Sequence, residues 1–258
     1  MRIMTYNILE GGTGRIDPIA EVVRLAAADV VIVEETWDPA LFHKLADRLH
    51  MDRFIAENPR NPQGSTGLLS RFPIREAANL AALDPRLTKS AFTAVLETRN
   101  PKLETPEFLG ILGLHLHHYE THADEAIRLQ ELAALLEYAR TLPPAHLLGG
   151  DFNASHPQQI IDLTKARPTT RQRVAPQQNQ FPRQAIASVL AAGYADAHAL
   201  HRTPADFGTS FTTAHPAMRV DYLFTSPALT PRVTSCDIFK PEIGRFASDH
   251  YPVVATIE

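Results

Sequence analysis

The stretch HLLGGDFNASHP, His146 to Pro157, follows a short apolar run with two glycines, an aspartate and, two residues on, an asparagine. Gly149 and Gly150 give up side-chain packing where a buried strand ends, which suits either a sharp turn or a close approach of the backbone to another group. In extended chain Asp151 and Asn153 point to the same side and offer an acceptor and a donor to one ligand. Gly, Asp and Asn are also ordinary turn residues, so turn and ligand site are both open on this stretch alone.

Working outward, the chain alternates strand-like and helix-like segments. MRIMTYNIL alternates as a strand and runs into the glycine-rich EGGTG, after which Asp17-Pro18 suits the cap and first turn of a helix through IAEVVRLAAA. DVVIVEE is a continuous apolar strand ending in acid, and Asp38-Pro39 opens a second helix through ALFHKLADRL. TGLLSRFPI, AFTAVLE and EFLGILGLHLHH read as further strands, with breaks at Pro73 and Pro101. ADEAIRLQELAALLEYAR has apolar residues at helical spacing and leads through Pro143-Pro144 into the GGDFN strand. HPQQIIDLTKA and RQAIASVLAAG look helical, RVDYLFT and DHYPVVATIE look extended. No internal repeat or low-complexity linker interrupts this order, and a single domain over residues 1–258 is expected. The mixed order favours an α/β arrangement of two packed sheets covered by helices over one parallel sheet.

Composition narrows the class. With 258 residues, 44% hydrophobic and 21% charged, the chain has ample core material. A net charge of −4 argues against a sequence-independent duplex binder, which needs a clear Lys/Arg excess, although local basic patches stay open. The single cysteine, Cys236, excludes an intramolecular disulfide and fits a reducing compartment. The N-terminus enters a strand pattern without a signal-like segment, and no run reaches membrane-spanning length. A cytoplasmic protein with no obligate protein partner is the expectation.

Several strands end in polar residues that packing alone would not choose: Asn7 in TYNIL, Glu35 in IVEET, His115 in LGLHLHH, Asp151 and Asn153 in GGDFN, Asp221 in RVDYLF, and Asp249-His250 in ASDHYP. Gathered on one edge of a sheet sandwich, these carboxylates, amides and imidazoles suit a divalent cation and a phosphate. The ordered series TYNIL, DVVIVEE, TGLLSRFPI, LHLHH, GGDFN, RVDYLF and SDHYPV resembles the endonuclease/exonuclease/phosphatase superfamily, which includes pancreatic deoxyribonuclease, apurinic endonucleases, inositol-polyphosphate phosphatases and bacterial sphingomyelinases. The resemblance spans residues 3 to 257.

It implies a four-layer sandwich of two mixed β-sheets flanked by helices, and hydrolysis of a phosphoester by water with Mg²⁺ or Mn²⁺. Carried over by position, Glu35 would be the principal metal ligand, with Asn7 and Asp249 near the metal or its waters. Asp151 would orient and deprotonate the attacking water, and Asn153 would hold that water or a phosphate oxygen. His250 would donate to a non-bridging phosphate oxygen, with Asp221 accepting its other N–H, and His115 would contact the phosphate or the leaving oxygen. The expected partner is a phosphoester substrate, nucleic acid among the candidates; a phosphodiesterase of nuclease type leads, with a lipid phosphodiesterase, an inositol or sugar phosphate phosphatase and a non-catalytic phosphate-binding protein as alternatives. Specificity lies in loops that one sequence does not decode.

Three departures stand out. Glu34 occupies a position where many members of the superfamily have glutamine; a second acid there would either alter metal preference or meet an arginine, and the arginine partner is the expectation. HLHHYETH invites a zinc reading through His115 and His117, but the aspartate–histidine pair that a zinc hydrolase motif needs after the second histidine is missing. The segment Leu163 to Gln184 carries Lys165, Arg167, Arg171, Arg173 and Arg183 without an acid. It is either a solvated loop or, through Arg171 and Arg173, a contact to flanking substrate phosphates.

Overall fold

In the computed structural model, which describes residues 1–98 and 107–258, the strand-like segments build two six-stranded sheets. Pro101 lies outside the described residues. The first sheet takes β1 (Arg2–Asn7), β2 (Val30–Glu34), β3 (Asp52–Ala56) and β4 (Thr66–Ser70) from the start of the chain. The second takes β5 (Ile74–Asn79), β6 (Ala91–Thr98), β7 (Glu107–His115), β8 (His146–Asp151), β9 (Ala195–Asp196) and β10 (Asp221–Thr225). The chain then returns to the first sheet with β11 (Val233–Ile238) and β12 (Val253–Ile257). Strand order is β11-β12-β1-β2-β4-β3 in one sheet and β5-β6-β7-β8-β10-β9 in the other. Both are mixed, and helices flank them, as expected for the four-layer sandwich.

Each sheet has one parallel pair, at its centre: β1 with β2, and β7 with β8. A parallel pair needs a long crossover, and each is joined by a helix, α1 (Ile16–Leu25) and α4 (His122–Ala139). The central pairs also stack face to face. Ile3, Val30, Ile32 and Val253 of one sheet meet Phe92, Ile111, Leu147 and Leu223 of the other in a fully buried layer. Outside it, α1 and α2 (Pro39–Leu49) cover the first sheet, and α4 with α6 (Gln184–Ala191) covers the second. The ends of β1, β2, β7 and β8, carrying Asn7, Glu34, His115 and Asp151, therefore come to one edge of the sandwich, where ligands bind in α/β sheets.

The two glycines of the opening stretch serve close approach. A Cβ on Gly149 would stand 2.5 Å from Ile32 Cδ1 of the facing sheet, and one on Gly150, at φ 152°, would stand 1.9 Å from Leu114 O. The first lets the sheets close, the second lets β8 lie against β7.

Some local expectations are corrected. Asp17 does not cap α1, which starts one residue earlier at Ile16; Arg15 instead holds the approach, donating to Ile8 O and Ala247 O. Asp38 does cap α2, accepting from Ala40 N at 2.8 Å. HPQQIIDLTKA forms turns and one short 3₁₀ segment at Leu163–Lys165, because Asp162 satisfies Thr164 N locally. The following RPTTRQRV yields α5 (Pro168–Val174) with Pro168 in its first turn. Two four-residue helices, α3 (Leu80–Leu83) and α7 (Gly244–Ala247), complete the set. No described helix is long and apolar enough to cross a membrane.

Gly150→Ala tests the β7–β8 contact. The new methyl can only be accommodated by moving the Leu114 carbonyl, so a loss of about 3 kcal/mol or more in urea unfolding is expected. A loss below about 1 kcal/mol would mean that the strands have slack here.

Candidate active site

At this edge lies a cleft of about 450 Å³ lined by Glu35, His115, Asp151, Asn153, Asp249 and His250 among others. Seven of the eight residues carried over by position are brought together by direct contacts or one intermediary, and the eighth, Asn153, is tied to Asp151 through the backbone. Glu35 follows β2 with φ 63°, so the strand has ended and the carboxylate turns into the cleft. Its oxygens accept from Asn7 Nδ2 at 3.2 Å and Glu10 N at 2.8 Å. Asn7 Nδ2 also donates to Asp151 Oδ2 at 3.2 Å, and Asn7 Oδ1 accepts from Leu9 N at 3.0 Å, which fixes the amide orientation. One side-chain amide thus links carboxylates presented by the two sheets.

Asn153 departs from the extended geometry expected for it. Its φ is 48°, its backbone N–H donates to Asp151 Oδ1 at 2.9 Å, and its Nδ2 donates to Leu116 O at 3.0 Å. GGDFN is therefore both a turn and part of the cleft wall. The Asn153 side chain keeps its oxygen and one N–H for a ligand.

Asp151 is buried. Burial, then repulsion from Asp221, pushes its pKa up to about 6, against the lowering pull of His250 and Lys89. His250 Nδ1 lies 3.0 and 3.2 Å from the two Asp221 oxygens, and its Nε2 is 3.9 Å from Asp151 Oδ2. Burial alone would lower the His250 pKa, but the Asp221 carboxylate outweighs it and pushes the group up to about 10. His250 is thus an imidazolium at neutral pH, donating to Asp221 from Nδ1 and directing Nε2–H toward the cleft. Asp151, Asp221 and His250 also bring one potential metal-ligating atom each to within 4.8 Å of one another. The His250–Asp221 hydrogen bonds already engage Nδ1 and both Asp221 oxygens, so the trio is a hydrogen-bonded group facing Asp151.

His115, at the end of β7, is buried 3.4 Å from Asp151 Oδ2, and its Nε2 meets Lys89 Nζ at 2.5 Å. Burial first, then the nearby Lys89 charge, holds its pKa well below the usual histidine range. The imidazole is neutral and accepts from the ammonium in the tautomer this contact requires; its Nδ1 has no partner. Lys89 is a cleft residue that the sequence reading missed, since LTKSAF carries no polar pattern around it. Burial lowers its pKa, opposed by Asp151, Glu35 and Glu131.

The basic segment contributes unevenly. Arg167 Nη2 pairs with Asp249 Oδ2 at 2.5 Å, and its guanidinium lies 4.5 Å over the Phe211 ring. Arg173 donates to Glu120 at 2.6 Å and lies 4.5 Å over Tyr119. Both line the cleft, whereas Arg171 is exposed and does not. The segment is thus fastened to Asp249 at one point and Glu120 at another.

Among the described residues Glu34 has no arginine partner. Glu34 is fully buried, accepts from Thr5 Oγ1 at 2.7 Å, and leaves Oε2 without a partner. Burial, then Asp221, raises its pKa well above the usual carboxyl range, which favours the neutral form beneath the site and lessens the need for a cation beside it. The histidine-rich loop also separates: His117 Nε2 pairs with Asp124 at 3.0 Å, and His118 lines the cleft.

The donor chemistry fits a hard divalent cation. Glu35 and Asp249 offer carboxylate oxygens, and Asp249 Oδ1 is buried without a hydrogen-bond partner.

A family model described as Endonuclease/Exonuclease/phosphatase family matches residues 4–250. By structure the chain is similar to an AP endonuclease from Archaeoglobus fulgidus, at 17% identity and a TM-score of 0.70, over 100% of this chain and 99% of that one. It is similar to a 3′-5′ exonuclease, NExo, from Neisseria meningitidis, at 18% identity and a TM-score of 0.70, over 100% of both chains. An endonuclease/exonuclease/phosphatase from Beutenbergia cavernae matches at 20% identity and a TM-score of 0.62, over 99% of this chain and 70% of that one. No curated protein matches the chain by sequence.

The His250–Asp221 pair predicts a pH dependence of stability. A folded pKa raised to about 10 stabilises fully below the unfolded histidine value and loses that contribution as pH rises toward 10. The melting temperature should fall from pH 7 to 10, and fall less in Asp221→Asn. An unchanged slope in the variant would show that the pair does not carry the dependence.

Proposed function

This chain belongs to the endonuclease/exonuclease/phosphatase family of hydrolytic phosphoesterases, and from that premise we propose that it is a Mg²⁺- or Mn²⁺-dependent phosphodiesterase of nuclease type. The observation that carries the reading is that the buried Asp151 carboxylate, His250 held by Asp221, and the unpartnered Oδ1 of Asp249 share one cleft beside Glu35. The likeness to an AP endonuclease and a 3′-5′ exonuclease favours nucleic acid over lipid or a small phosphate ester.

In this reading Glu35 and Asp249 hold the cation, and Asn7, with its oxygen turned to Leu9 N, orients Glu35 and Asp151. When bound, a divalent cation neutralises phosphate charge and stabilises the departing oxygen. Asp151 orients the attacking water and takes its proton; a base ionised just below neutral pH is both available and competent. Asn153 Oδ1 accepts from the same water. His250 donates from Nε2 to a non-bridging phosphate oxygen, where negative charge grows in the transition state, and Asp221 keeps it protonated and aimed. Lys89 reaches the cleft beside His115 and supplies a second cationic donor; His115 serves as its acceptor and seat. Arg167 and Arg173 lie where flanking phosphates of a polymer would pass.

Chelation should abolish activity, and Mg²⁺ or Mn²⁺ rather than zinc should restore it. Glu35→Gln should raise the cation concentration needed, whereas Asp151→Asn should leave it nearly unchanged and slow turnover by ~10²-fold or more. Wild-type rates in both variants, or full activity in chelator, would sink the assignment.

A second expectation concerns the polymer. Arg173→Gln should weaken turnover of an oligonucleotide and reduce its salt sensitivity, with a small chromogenic phosphodiester spared, while Arg171→Gln should change neither. Equal losses on both substrates for Arg173→Gln would indicate damage to the core site instead.

A further inference from the structure

α4 breaks the amphipathic plan expected for it. Toward its C-terminus it buries Leu132, Ala134, Leu135 and Ala139, but ahead of them it buries Glu125, Arg128 and Glu131 at spacings of three. Ion pairing explains only part of this row. Arg128 Nε donates to Glu125 Oε2 at 2.8 Å, and Glu125 Oε1 accepts from Ala185 N at 2.7 Å. Glu131 does not pair with Arg128 at all.

Glu131 instead collects three donors from two loops. Its Oε1 accepts from Thr88 N at 2.9 Å and Thr88 Oγ1 at 2.5 Å, and its Oε2 accepts from His117 N at 2.8 Å. Thr88 is the neighbour of Lys89, and His117 lies two residues beyond His115. The Lys89–His115 contact, 2.5 Å at its tips, is therefore tied at both backbone ends to one buried carboxylate. Arg128 strengthens one side, donating to His117 O at 3.0 Å and Tyr119 O at 2.6 Å. An apolar side chain of the same size at position 131 could fill the space, but it would leave the backbone donors of Thr88 and His117 without this acceptor and the two loops without a common reference point.

We infer that Glu131 is a positioning residue for the phosphoester reaction, fixing the Lys89 ammonium in register with His115 and Asp151 by anchoring both loops to α4. The inference rests on the reading of Lys89 as a cationic donor to the phosphate. Glu131 touches no reacting atom in it. Its contribution is to hold a flexible side chain where charge develops, and a misplacement of about 1 Å is enough to slow such a step substantially.

The test is a double-variant cycle read as kcat and KM on one phosphodiester at saturating Mg²⁺, with a melting curve for each protein. Glu131→Gln retains the shape but loses one acceptor oxygen, and should lower kcat about tenfold with KM changed less than twofold. Lys89→Met should be slower than wild type, and adding Glu131→Gln to it should cost less than a further twofold, because the residue that Glu131 positions is gone. Thr88→Val removes one donor from an exposed threonine and should give a smaller drop in kcat with the same dependence on Lys89; it carries the cycle if Glu131→Gln does not fold. Equal losses from Glu131→Gln with and without Lys89, or from Thr88→Val in its place, would overturn the inference and leave the site reading intact. Wild-type kcat in Lys89→Met would overturn the reading of Lys89 and the inference with it.

Discussion

Repulsion among carboxylates is the constraint that the structure is organised to meet. Glu35, Asp151, Asp221 and Asp249 come to one sheet edge with Glu34 directly beneath, and two like charges at about 4 Å cost roughly 4 kcal/mol at the effective dielectric of such a site. Each acid has its own counterweight. The Asn7 amide lies between Glu35 and Asp151, the His250 cation faces Asp221 and Asp151, and Arg167 takes one oxygen of Asp249. Glu34 meets the constraint differently, its pKa raised by burial and Asp221 toward the neutral form. Of the four acids at the edge, Asp249 alone leaves an oxygen, Oδ1, buried without a hydrogen-bond partner, which is the state expected of a group reserved for a further positive charge.

Much of the fold was legible because buried strands and helix caps write strong local signals. DVVIVEE and the Asp38-Pro39 cap could be read directly, whereas GGDFN left turn and ligand site both open, and the fold makes it a turn in the cleft wall. β3 and β11 were missed for a physical reason: both alternate exposed and buried positions weakly, with charged residues on the outer face, and are strands mainly because a neighbour pairs with them. Asp17 misled because acid before proline suits a cap, and the cap was displaced by the long reach of Arg15.

The candidate site divides in the same way. Residues at strand ends were visible as polar interruptions of apolar runs. Lys89 and Glu131 were not, since each acts from a segment whose composition is unremarkable, and Arg167 was visible only as one base of a basic segment, its pairing with Asp249 depending on what the fold lays beside it. α4 shows the limit most clearly. Its apolar spacing was enough to predict a helix, but periodicity treats a buried glutamate as a defect, and here the glutamate is what the neighbouring loops are built on.

The two sheets repeat one plan that sequence does not reveal: a central parallel pair joined by a helix, with two antiparallel strands on either side. Asn7 and Glu35 belong to one copy of that plan, His115, Asp151 and Asp221 to the other, and Asp249 and His250 enter just before the last strand of the first. Neither sheet carries the candidate site by itself. Asn7 and Glu35 meet Asp151 only because the apolar layer between the sheets sets their spacing, so packing far from the cleft determines the geometry within it.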